Sequence, residues 1–173
     1  VSDLIAAWLL GLVSLWALAG AAPGLEIERF FANVPVIVVV WVALRRDAVA
    51  AFATVLLLGG VAGLMGGAAR GVWLVALLVP ALVTLWFKHR LLLEGLLAAA
   101  GWAAIMSTVF DLAFVTLVAG FEGLSSPWPW LAKVTPGAAL ATGVLALPLM
   151  LVLRGLGTWL AGRRAAGNAL QWS

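Results

Sequence analysis

From Val34 to Leu44 the chain reads Val-Pro-Val-Ile-Val-Val-Val-Trp-Val-Ala-Leu, without one charged or polar side chain, and then stops at Arg45-Arg46-Asp47. There is no alternation and no helical stripe that would give this stretch one wet face, so it must be buried all round. The whole chain shares that character. Of its 173 residues 65% are hydrophobic and 10% charged, whereas a soluble domain carries about 25% charged residues. Helices satisfy every backbone N–H and C=O where lipid offers no partner. The sequence therefore predicts an all-α integral membrane protein; alternating strands with frequent turns, the signature of a membrane β-barrel, are missing.

Segmenting the chain at its charged and Gly/Pro-rich breaks predicts a six-transmembrane-helix bundle, one domain over residues 1–164, followed by a short cytoplasmic tail, 165–173. The first span runs from about Leu4 to Ala22; its start lacks the basic flank of a signal peptide, which favours a retained helix. A short acidic connection from Pro23 leads to Asn33, with Phe30-Phe31 placed to lengthen the second span. The third span covers Ala48 to Met65 and the fourth Val72 to Phe87, with Pro80 inside it. The fifth covers Leu92 to Ala119. A loop from Gly120 to Thr135 holds Pro127-Trp128-Pro129-Trp130, expected to interrupt any regular helix. Thr135-Pro136 then reads as a cap and first helical position for a sixth span ending near Leu160. With both termini inside, Arg45, Arg46, Lys88, Arg90, Arg154, Arg163 and Arg164 fall on the cytoplasmic side and outnumber Arg29, Arg70 and Lys133 outside, as the distribution of Lys and Arg in membrane proteins requires.

Little in the sequence supports catalysis. Cysteine is absent and His89 is the single histidine, which excludes thiol chemistry and disulfides and leaves no histidine-rich metal site. No phosphate loop, paired carboxylates or nucleophile with a base is visible, so no catalytic residue, metal or cofactor is assigned. A pI near 10.7 reflects a net charge of only +3 spread over short loops, which gives no nucleic-acid-binding face. Two features stand out. Gly59, Gly63, Gly67 and Gly71 recur every fourth residue and would lay a bare strip along one helix face for close packing against another helix or a partner. Asp111 lies well inside an apolar run, where a charge costs about 3 kcal/mol; it is expected to face the bundle and hydrogen-bond Ser107, Thr108 or a neighbouring helix, or to contact a ligand.

The succession of an acidic first loop, an Asn33-Val34-Pro35 entry, Trp41-Val42-Ala43-Leu44-Arg45-Arg46, a glycine-rich third span, Phe110-Asp111 in the fifth, and Leu147-Pro148-Leu149 leading to Arg154 resembles the rod shape-determining protein MreD family over nearly the whole chain. The sequence departs from that pattern at Pro35-Val36 and Gly63-Leu64-Met65-Gly66, where polar or acidic residues are frequent in the family. The resemblance implies a non-enzymatic subunit of the machinery that elongates the bacterial cell wall. Its implied partners are MreC and, directly or through MreC, RodA and a class B penicillin-binding protein, all within the lipid of the inner membrane.

A second reading has the same span count. The substrate-binding membrane subunit of an energy-coupling-factor vitamin transporter would close loops over an outward pocket. Arg70, Asp111, Glu122, Trp128 and Trp130 would then be its ligand contacts, and the glycine strip would meet the coupling subunit.

Overall fold

A computed structural model describes residues 2–21, 32–65, 71–90, 95–122 and 128–170. The regular elements among them are helices: α1 (Ser2–Ala21), α2 (Val34–Arg45), α3 (Ala48–Met65), α4 (Val72–Phe87), α5 (Leu96–Glu122) and α6 (Trp128–Leu170). Three stretches, Ala48–Met65, Leu96–Phe121 and Leu131–Leu156, are long and apolar enough to cross a membrane. The apolar stretches Leu4–Trp16, Val34–Arg45 and Val72–Phe87 are shorter.

Helix α2 is the axis of the fold. Pro35 to Ala43 are buried without a break, and α2 packs against each of the other helices. Its sequence explains this: with apolar side chains on every face, no side of the helix gains by meeting water. Pro35 sits in the first turn, where a missing N–H breaks no helical hydrogen bond.

Contacts between helices fix their directions. Trp8 Nε1 donates to Thr54 Oγ1 at 2.9 Å and Gly11 lies against Leu58, so α1 and α3 run the same way. Lys88 Nζ donates to the Arg46 carbonyl oxygen at 3.0 Å, which places the C-termini of α2 and α4 together. Helix α5 opposes them: Trp102 Nε1 donates to Thr84 Oγ1 at 3.1 Å, near the end of α4, whereas Phe114 meets Trp73, near its start, with ring centroids 4.9 Å apart. Helix α6 opposes α5, because Gly143 abuts Ala104 while Thr142 reaches Ser107. The helices thus alternate in direction. One end of the bundle is basic, with Arg45, Arg46, Lys88 and Arg90; the other holds Gly71, Trp128 and Lys133.

The expected limits of the third and fourth spans agree with α3 and α4. Elsewhere the limits shift. Helix α5 begins at Leu96, after Gly95 at φ +110°, and continues to Glu122. Trp128, Pro129 and Trp130, read from the sequence as part of a long loop, form the first turn of α6, where the missing N–H of Pro129 is again tolerated. Pro136 is inside α6 rather than at its start. The helix also continues through residues 165–170, which were expected to form a tail. Phe30 and Phe31 lie outside the described residues.

Candidate functional site at the buried end of helix α2

Asn33, the residue before α2, is the hub of a polar cluster inside the apolar bundle. Its side-chain Nδ2 donates to Ser107 Oγ at 2.7 Å and to Asp111 Oδ1 at 3.0 Å, both on α5. Its backbone N–H donates to Thr142 Oγ1 on α6 at 2.8 Å. Thr142 in turn donates to the Ala138 carbonyl oxygen at 2.7 Å, and its hydroxyl is 3.3 Å from that of Ser107. Ser107 and Thr142 are fully buried, and Asp111 is 8% exposed.

The position of this cluster follows from helix lengths. Twelve residues of α2 rise about 18 Å, well short of the roughly 30 Å hydrocarbon core of a bilayer. Since α2 ends at the basic end, its start falls near the middle of α5 and α6. A helix start leaves backbone N–H groups without helical partners, which is costly away from water. Here Pro35 contributes none, Val34 N–H bonds the Ala32 carbonyl oxygen at 2.9 Å, and Thr142 takes that of Asn33. The side chains of α5 and α6 therefore act as the seat for a helix that begins inside the bundle.

One part of the cluster is incomplete. Asp111 Oδ2 and Thr135 Oγ1 are both buried without a hydrogen-bond partner, although the Thr135 hydroxyl, on α6, lies beside the Asp111 carboxyl. Trp41 Nε1, within α2, is similarly unpartnered. Ser107 and Thr142 have no histidine beside them to act as a base, and the described residues hold no group of three or more His, Cys, Asp or Glu able to bind a metal.

Asp111 is thus the candidate residue that the structure places in a built environment. Thr108, one of its expected partners, instead donates to Ala104 O and is exposed. Ser107 joins Asp111 indirectly, through Asn33. The expected glycine strip divides. A Cβ on Gly59 would come within 2.7 Å of Leu74 Cα, so this glycine lets α3 and α4 approach closely. Gly63 has nothing within 4 Å of its Cβ position. Gly71 is not on α3 at all; it is the residue before α4, at φ +95°. Gly67 and Arg70 lie outside the described residues, as do the side chains of Glu122 and Trp130. Trp128 is 66% exposed at the start of α6, about 10 Å along the helix from Thr135, and does not join the cluster. Between α1 and α3 an open apolar groove of about 330 Å³ is lined by Leu12, Val13, Trp16, Val61 and Met65.

No protein-family model, curated protein or solved structure matches this chain.

Proposed function

We propose that the chain is an MreD-like, non-enzymatic subunit of the bacterial cell-wall elongation machinery. In this reading all six helices lie in the inner membrane, both termini face the cytoplasm, and the bundle binds MreC and supports assembly with RodA and a class B penicillin-binding protein. The observation that carries the reading is the contact of Asn33 with Asp111. These residues belong to two separate parts of the family-like pattern, Asn33-Val34-Pro35 and Phe110-Asp111. A likeness due to apolar composition alone has no reason to select two polar residues that meet at 3.0 Å across 78 positions.

The basic end, with Arg45, Arg46, Lys88 and Arg90, is the cytoplasmic end in this reading, since cytoplasmic loops collect Lys and Arg. The shorter helices fit a bundle in which α2 is enclosed by protein and need not span alone. Gly63 and the open groove on α1 and α3 offer helix-packing surfaces for a partner.

The test is purification of the tagged protein from its native membrane in a mild detergent, with identification of what accompanies it. Recovery of MreC, RodA or a penicillin-binding protein is the expected result. Recovery of paired ATPases with a coupling membrane protein would overturn the proposal in favour of a vitamin-transport subunit, the reading in which Arg70, Asp111, Glu122, Trp128 and Trp130 contact a ligand.

A further inference from the structure

The basic end of the bundle is more ordered than a simple marker of orientation needs to be. A marker requires only the number of positive charges on one side; here the side chains have fixed positions. Lys88 Nζ ties the turn after α4 to the end of α2, through the Arg46 carbonyl oxygen 42 positions away. The Arg45 guanidinium lies over the Trp41 ring at 5.8 Å and that of Arg90 over the Trp86 ring at 5.7 Å, both within cation–π range. In each pair the tryptophan is four positions before the arginine, within α2 for Trp41 and Arg45 and across the turn that ends α4 for Trp86 and Arg90. Both guanidiniums are therefore folded over the rim of the bundle instead of extending from it.

Beneath this rim is an aromatic shelf. Trp86, which is 65% exposed, packs edge-on against Phe87 at 5.0 Å, and Phe87 meets Trp102 at 6.0 Å. Tryptophan at the end of an apolar helix marks the headgroup level of a bilayer. Asp47, an acid at the same end, accepts the Ala50 N–H at 3.2 Å and so caps the first turn of α3. Cations above an exposed aromatic ring match the two parts of an anionic phospholipid, a phosphate and the acyl chains beneath it.

We propose that Arg45, Lys88 and Arg90 form a binding site for the phosphate of an anionic phospholipid headgroup, with the acyl chains lying along Trp86 and Phe87. This rests on the membrane reading above but not on any cell-wall partner, because the site can be tested on the purified protein alone. The full chain in neutral detergent is titrated with phosphatidylglycerol, phosphatidylethanolamine or phosphatidylcholine of equal acyl length, and retained lipid is read by native mass spectrometry. Phosphatidylglycerol is expected to be retained in preference to both others. Loss of one juxtamembrane cation is worth about fivefold in binding, so Arg45→Gln and Arg90→Gln should each weaken retention by about that factor and together abolish the preference. Lys133→Gln, at the opposite end, should leave it intact. Inorganic phosphate at millimolar concentration should not displace the lipid. Unchanged helical circular dichroism excludes unfolding as the cause of a loss, and Arg45→Lys should retain most of the binding. Equal retention of the three lipids, survival of the preference in the double variant, an equal loss in Lys133→Gln, or displacement by inorganic phosphate would each overturn the proposal.

Discussion

Asn33 and Asp111 are hydrogen-bonded at 3.0 Å inside the bundle, and the same Asn33 amide also reaches Ser107. One amide group therefore fixes the start of α2 to α5 while donating to the Asp111 carboxyl. Removing Asn33 leaves two buried groups without that donor, a loss worth about 1–3 kcal/mol. Asn33→Ala is expected to lower the detergent unfolding midpoint accordingly, and Asp111→Leu to do the same by taking the acceptor from one of the two N–H groups of the Asn33 amide. In a double-mutant cycle the two substitutions should couple by about 0.5–2 kcal/mol. Full additivity would show that the contact contributes nothing.

Gly59 and Gly63 should respond differently to alanine. At Gly59 the new methyl would be 2.7 Å from a backbone atom of Leu74, so α3 and α4 must separate, at about 1–3 kcal/mol for overpacking. At Gly63 there is open space, and alanine has the better helix propensity. Thermal unfolding in detergent should drop for Gly59→Ala and hold or rise slightly for Gly63→Ala. If Gly63 meets a partner helix, its alanine variant will be stable and yet fail to co-purify that partner.

Trp102 and Thr84 form a second polar contact in the apolar interior, at 3.1 Å. Thr84→Val keeps the shape but strands the indole N–H, and should cost about 1–2 kcal/mol. Trp102→Phe in the Thr84→Val background removes that stranded donor. The double variant is expected to lose less stability than the sum of the two single ones in chemical denaturation.

The alternating helix directions predict sidedness. Because the natural chain has no cysteine, single cysteines at His89 and Lys133 can be labelled with a membrane-impermeant maleimide in intact and permeabilised cells. His89→Cys should label only after permeabilisation and Lys133→Cys in intact cells. Labelling of both positions from one side would contradict the six-span arrangement.

Much of this organisation is legible in the residues. The limits of α3 and α4 can be read from the sequence because charged and glycine-containing breaks flank long apolar runs. The start of α6 is misplaced by the sequence because Pro129 reads as an interruption and Pro136 as a first helical position; Pro129 occupies the first turn, where proline costs little, and Pro136 is carried within a long helix. Asp111 stood out because a lone acid in an apolar run is conspicuous. Its partners did not. Thr142 is polar but uncharged and hydrogen-bonds its own helix, which disguises it in sequence. Asn33, 109 positions before Thr142, reads as the end of a loop until α5 and α6 are brought around it.

The brevity of α2 also governs how the protein can be made. Its residues leave the ribosome before α3 to α6 have been synthesised, and 12 residues ending in Arg45 are too few to settle across a bilayer alone. The seat for its first turn is supplied by Ser107, Asp111 and Thr142, so α2 can reach its final depth only after α6 has been inserted. Chains halted after α4 should leave this segment unseated and exposed to membrane proteases, whereas chains completed through α6 should protect it.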